Sequence, residues 1–83
     1  NVHQNRPNPF RELTSIDFDL PQSGEVSLTI TDALGREVLS RKQVYETGNH
    51  TINLDLQHLE SGIYYYHLQS GGEVKSMPML IQR

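Results

Sequence analysis

The sequence predicts an all-β domain, a β-sandwich of about seven short and mostly antiparallel strands. Two observations lead to this fold class. Valine, isoleucine and threonine favour strands and occur five times each, whereas alanine, the strongest helix former, occurs once. Apolar and polar residues alternate in several segments that end in turn residues, which is the pattern of half-buried strands in a sandwich.

The first two strands are predicted from alternation with a period of two. In segment 16–20, isoleucine, phenylalanine and leucine alternate with two aspartates, and Pro21 ends the segment. Segment 26–31 alternates valine, leucine and isoleucine with serine and threonine. Asp32–Gly35 then has the residue types of a type I turn, with glycine where a positive φ is required.

Polar and apolar residues are mixed in the third strand, 36–45, where Ser40 and Lys42 share a face with two valines. Lysine discourages pairing with another chain, so we expect this strand at a sheet edge. The fourth strand is predicted at 52–56, where isoleucine and two leucines alternate with polar residues.

The most strand-like stretch is 63–69, which holds three consecutive tyrosines. One interpretation is an aromatic platform for a sugar or peptide. The other places Tyr64, Tyr66 and Leu68 in the core, with the intervening residues on the opposite face. The second is favoured, because aromatic side chains are common in strands and fill cores.

A tight reversal at Ser70–Gly72 leads into the last strand, 73–83. Proline cannot donate to a strand ladder, so we expect Pro78 at an edge or a bulge. Two interpretations of this strand remain open. It completes a sheet, or it is an end tag that a partner grips by strand addition.

Residues 1–14 are predicted to be an extended leading segment, and 15–83 the sandwich. The leading segment has prolines at 7 and 9 and no alternation. We expect Phe10 to pin it against the sandwich.

Length and charge exclude several classes of protein. The chain has 83 residues, no cysteine and a net charge of −3, so we expect one small domain or a piece of a larger chain, without disulfides or thiolate chemistry. The acidic balance argues against nucleic-acid binding, and no apolar run approaches the ~20 residues that cross a bilayer. The sequence begins at Asn1 without a signal peptide, so we expect a longer precursor.

The sequence shows no motif of catalysis or metal binding. The four histidines lack the spacing of metal ligands, and neither a Gly-x-Ser-x-Gly nucleophile elbow nor a glycine-rich phosphate loop occurs. We therefore expect no catalytic residue, no cofactor, no metal and no enzyme activity.

Several stretches follow one another in a specific order: Gln4–Phe10, Thr14, Ile16–Phe18, Leu20–Pro21, Val26–Ile30, Asp32–Val38, Gly48–His50, Leu59–Tyr66 and Lys75–Arg83. In this order they resemble the type A C-terminal sorting domains of the Bacteroidetes type IX (Por) secretion system. The sequence departs from the family pattern at Leu54, where many members carry tryptophan, and at Pro78, which interrupts the terminal strand.

The resemblance implies an immunoglobulin-like β-sandwich that acts as the C-terminal address label of an upstream cargo. Its partners would be translocon components and a surface sortase, with no nucleic acid and no membrane insertion; self-association is left open. The label would pass through the periplasm and cross the outer membrane to the cell surface or the extracellular space. There the sortase usually removes it and joins the cargo to anionic lipopolysaccharide.

The resemblance also assigns roles to residues. Recognition by translocon and sortase is expected in the terminal motif, at Lys75, Met77, Leu80, Ile81 and Arg83. Mainly structural roles are expected at Pro7, Asn8, Pro9, Phe10, Asp32, Gly35, Arg36, Gly62, Tyr64 and Tyr66. The alternative from another class is a sandwich spacer or carbohydrate-binding module appended to a secreted enzyme, which would bind glycans through exposed aromatics.

Overall fold

The computed structural model describes residues 2–9 and 13–82. These residues form six strands and no helix. The strands are β1 (Leu13–Leu20), β2 (Gly24–Asp32), β3 (Glu37–Tyr45), β4 (Gly48–Asp55), β5 (Gly62–Ser70) and β6 (Glu73–Ile81). Nothing in the described ranges could serve as a membrane-spanning helix.

The strands form two antiparallel sheets that pack face to face. One sheet holds β1 and β4, and the other has the order β3-β2-β5-β6. The predicted all-β sandwich is confirmed, with six strands where about seven were expected. In its described part, residues 2–9, the leading segment makes isolated bridges to β1, at Val2 with Phe18 and at Arg6 with Ser15. Prolines at 7 and 9 lack the amide donors that a regular strand needs.

The core lies between the sheets and follows the predicted alternation. Val38, Leu39 and Tyr45 of β3 pack against it half-buried. The buried hydrophobic residues come from the other five strands and from Leu56 just after β4, and the strand residues are Ile16, Phe18, Leu20, Val26, Leu28, Ile30, Ile52, Leu54, Tyr64, Tyr66, Leu68, Met79 and Ile81. The core-facing interpretation of Tyr64, Tyr66 and Leu68 is thereby confirmed.

The predicted edge position of the third strand is also confirmed, since among the described strands β3 pairs with β2 alone. A register shift between Ile30 and Thr31 places a bulge in this pair. Val44 is 71% exposed, and Lys42 is exposed as well. The lysine and the bulge are both features that keep an edge strand from pairing with another chain.

The expected edge position of Pro78 is confirmed, since β6 is the last strand of its sheet, but Pro78 does not interrupt this strand. β6 runs unbroken from Glu73 to Ile81 and pairs with β5 without a register shift. The reason is the direction of the backbone. The carbonyl of Pro78 and the amide of Leu80 both bond to the leading segment, so the groups at even-numbered positions point away from β5. The missing N–H of Pro78 therefore costs the ladder nothing.

Candidate recognition surface

The terminal motif lies on β6, an edge strand in the part of the chain that the structure describes. Its residues fall into two groups. Lys75 is exposed and Leu80 is 37% exposed, whereas Met77 is half-buried and Ile81 is 1% exposed. Ile81 packs in the core, so in the folded domain it stabilises β6 and does not offer its side chain to a partner. Arg83 lies outside the described residues.

Leu80 belongs to an apolar patch on the outer face of the larger sheet. The register places Leu80 opposite Ile63 and Pro78 opposite Tyr65. All four side chains are exposed, with Ile63 at 52% and Tyr65 at 40%. We call these four residues the outer patch. Contiguous apolar residues on the surface of a small domain are typical of a protein–protein contact site.

The leading segment connects the two sheets along one side of the sandwich. Its backbone bonds to β1, with the His3 amide 3.0 Å from the Asp17 carbonyl and the Arg6 amide 2.8 Å from that of Ser15. Its side chains bond to β6, with Gln4 Nε2 2.7 Å from the Pro78 carbonyl. The segment is therefore a part of the folded domain.

A buried amide holds this segment in place. Asn5 is 1% exposed, and its Nδ2 donates to the Pro7 carbonyl at 3.0 Å and to Thr14 Oγ1 at 2.9 Å. The Thr14 hydroxyl in turn donates to the same carbonyl, and Gln4 Nε2 donates to Asn5 Oδ1. Every polar atom of the Asn5 side chain is bonded, as burial requires.

The two core tyrosines make different hydroxyl bonds. Tyr66 Oη donates to the His3 carbonyl at 2.8 Å, which ties the leading segment to β5, and burial raises the pKa of Tyr66. Tyr64 Oη donates to the Glu60 carbonyl at 2.8 Å, four residues away. Gly62 begins β5 directly after that loop. Each tyrosine therefore has a structural role of its own: Tyr66 holds the leading segment, and Tyr64 holds the loop before β5.

The central turn is fixed by Asp32. Its Oδ1 accepts from the amides of Leu34 and Arg36, and its Oδ2 accepts from Arg36 Nε at 2.8 Å. The backbone bond to the Arg36 amide, followed by the guanidinium, lowers the pKa of Asp32. Gly35 has φ +85°, a conformation that side chains disfavour. Asp32, Gly35 and Arg36 thus stabilise a turn.

A second carboxylate lies on the outer face of β1. Asp17 accepts a bond from the Thr51 hydroxyl and pairs with the Arg6 guanidinium. These two contacts, in that order, lower the pKa of Asp17. The Arg6 contact adds a further link between the leading segment and the smaller sheet.

The other members of the leading motif differ in what the structure shows. Asn8 Oδ1 accepts from the Leu80 amide at 2.9 Å, so the leading and terminal motifs touch. Pro7 supplies the carbonyl that Asn5 and Thr14 share, and Pro9 is exposed. The predicted anchor, Phe10, lies outside the described residues.

Sequence reasoning did not single out the roles of Gln4, Asn5 and Thr14. For Thr14 a signal exists, because it precedes Ile16 by two residues and so belongs to the inward face of β1. Nothing local marks Gln4, whose partner Pro78 lies 74 residues away. Asn5 is hydrophilic in type, so its burial follows only from the tertiary arrangement.

One histidine–serine contact on the outer sheet face can be compared with the catalytic pair of a serine nucleophile and its histidine. His67 Nδ1 lies 2.7 Å from Ser76 Oγ, and its Nε2 lies 3.1 Å from Thr31 Oγ1. A serine nucleophile works with a histidine that a carboxylate orients, and here a hydroxyl occupies that place. Within residues 2–9 and 13–82, no group of three or more potential metal ligands comes together.

Comparison with known proteins agrees with this arrangement. The family described as the secretion system C-terminal sorting domain matches residues 6–82, which include the leading motif from Arg6, the central turn and nearly all of the terminal motif. No curated protein matches the chain. Members of this family are type IX secretion signals, which implies that the cargo carrying one is exported across the outer membrane. The chain belongs to the type IX secretion C-terminal sorting domains.

Proposed function

We propose that this domain sorts its cargo by presenting β6 and the outer patch to the translocon. The observation that carries the proposal is the position of the terminal motif. It lies on an edge strand whose Leu80 side chain and outward backbone groups face away from the core. A binding partner can read such an edge without unfolding the domain.

The later steps are proposed from the family resemblance. The cargo crosses the periplasm, and after export a surface sortase with a cysteine nucleophile removes the domain and joins the cargo to anionic lipopolysaccharide. The cargo remains at the cell surface or is released. The domain itself contributes no catalysis to these steps. The absence of catalysis is supported by His67, because both of its ring nitrogens bond to hydroxyl groups and neither bonds to a carboxylate.

The carbohydrate-binding alternative has little support from the tyrosine positions. A sugar platform needs aromatic rings that share an exposed face. Tyr64 and Tyr66 are 8% and 0% exposed, which leaves Tyr65 as the exposed ring of the triplet. Tyr65 neighbours Pro78 in the outer patch, a surface that suits a protein partner better.

The proposal is tested with residues 1–83 fused behind a periplasmic reporter in a bacterium with a type IX system. The reporter should reach the cell surface, and Leu80→Ala should lower surface delivery by about tenfold, the equivalent of one buried leucine contact of ~1.4 kcal/mol. Leu34→Ala is the matched control, because Leu34 is 81% exposed in the central turn after β2, and β5 separates β2 from β6.

A stable fusion that stays in the periplasm would overturn the proposed function. Equal surface delivery of the Leu80→Ala and Leu34→Ala fusions would overturn the placement of recognition on β6. Cleavage is measured in the same cells from the size of the surface reporter, and a sortase-deficient strain should keep the fusion intact.

A further inference from the structure

The outer edge of β6 is divided into two halves. In the first half, 74–76, the outward amide and carbonyl groups of Val74 and Ser76 have no hydrogen-bond partner among the described residues. In the second half, 78–80, Gln4 binds the Pro78 carbonyl and Asn8 binds the Leu80 amide. We call these the open half and the closed half.

The open half has the chemistry of a strand-addition site. Two residues with outward N–H and C=O groups can exchange four hydrogen bonds with an antiparallel strand. Natural edges are usually blocked by charge, proline, a bulge or a covering segment. β3 has Lys42 and a bulge, and the closed half of β6 has Pro78 and the leading segment. The open half has neither a proline nor a bulge, and its one charge, that of Lys75, disfavours a neutral strand and favours one that brings an acidic residue.

We propose that the export machinery binds this domain by adding an extended peptide strand to the open half of β6. This inference rests on the proposed function and names the kind of partner that its site takes. Gln4 and Asn8 end the pairing at Pro78, because their side chains already occupy the next outward groups.

The surroundings of the open half specify the added strand further. Lys75 is exposed and projects from the face of β6 opposite to Val74 and Ser76. A strand that pairs here brings one of its side chains beside Lys75, and an acidic residue complements it. On the other face, Val74 is 55% exposed and favours an apolar neighbour. The expected partner segment is therefore extended, with acidic and apolar residues on opposite faces.

The test removes an outward amide without touching the ladder to β5. Val74→Pro does so in the way that Pro78 already does, and Val74→Thr keeps the amide as the matched control. Ser76→Pro and Ser76→Ala form a second pair, in which both variants lose the His67 contact and only the first loses the amide. In the reporter fusion, each proline variant should lower surface delivery by about tenfold, and each control should stay within about twofold.

The possible outcomes distinguish strand addition from misfolding and from self-association. Circular dichroism and thermal unfolding of the purified domains show whether the proline variants fold. Folded proline variants that are exported like their controls overturn strand addition, while export of the unchanged fusion leaves the proposed function standing. Failure of both proline variants to fold overturns the outward direction of these amides. Loss of a dimer without loss of export identifies a second copy of the chain as the occupant and overturns the proposal.

Discussion

Replacing the buried amide of Asn5 by a carboxyl tests whether the leading segment is part of the fold. Asn5→Asp keeps the shape of the side chain and the oxygen that accepts from Gln4. It removes the donor to the Pro7 carbonyl and to Thr14 Oγ1, so two hydrogen bonds are lost. At about 0.5–1.5 kcal/mol each, the loss lowers the free energy of unfolding by about 1–3 kcal/mol, before the cost of burying a charge.

The same substitution makes stability depend on pH. Burial raises the pKa of the introduced carboxyl in the folded state above its unfolded value of about 3.9. The variant is then closest to wild type below about pH 4, where the protonated acid can donate one bond. The deficit grows as pH rises through the interval between the two pKa values. Urea unfolding at pH 3.5 and pH 7 measures the difference in free energy of unfolding between the variant and the wild type. Asn5→Ala is the control, because its difference from the wild type should be the same at both pH values. Equal deficits of Asn5→Asp at both pH values would refute a buried, bonded Asn5.

Three further predictions concern single contacts. Tyr66→Phe should lower the free energy of unfolding by about 1 kcal/mol, because the bond from the Tyr66 hydroxyl to the His3 carbonyl is lost. Exchange of the His3 amide should then become faster, whereas in Tyr64→Phe it should stay as in the wild type. Identical exchange of the His3 amide in the two variants would be inconsistent with these hydroxyl bonds. Because the pKa of Asp32 is lowered, wild type should be more stable than Asp32→Asn at pH 7, and the gap should close as acid titrates the carboxylate; a constant gap would argue against the turn contacts. Gly72 has φ +83°, so Gly72→Ala should lower the free energy of unfolding by about 1 kcal/mol. Gly24→Ala should leave the thermal unfolding of the domain nearly unchanged.

The strand faces could be predicted because alternation records burial directly. Successive side chains of a strand point to opposite faces, so apolar residues at every second position share one face. That face is buried in the core, as for Phe18 and Leu20 on β1 and for Tyr66 and Leu68 on β5. The turns at Asp32–Gly35 and Ser70–Gly72 were predictable from residue type, since glycine is needed at positive φ.

The arrangement around β6 could not be predicted in this way. Alternation assigns side chains to faces but does not say toward which neighbour the backbone groups point. Pro78 could therefore be placed at an edge or a bulge, but its position in an unbroken edge strand could not be derived. The contacts of Gln4 and Asn8 with β6 join the two ends of the sequence. They depend on where both sheets place their edges, which no local pattern of residues encodes.

Amide hydrogen exchange on β6 tests the division of its outer edge most directly. The Leu80 amide donates to Asn8, whereas the Val74 and Ser76 amides face outward in the open half. One hydrogen bond of about 1 kcal/mol slows exchange by about fivefold, so Leu80 should exchange at least that much more slowly than Val74 and Ser76. In Asn8→Ala the difference should disappear. Equal exchange of all three amides in the wild-type domain would contradict an edge that the leading segment closes on one half and leaves open on the other.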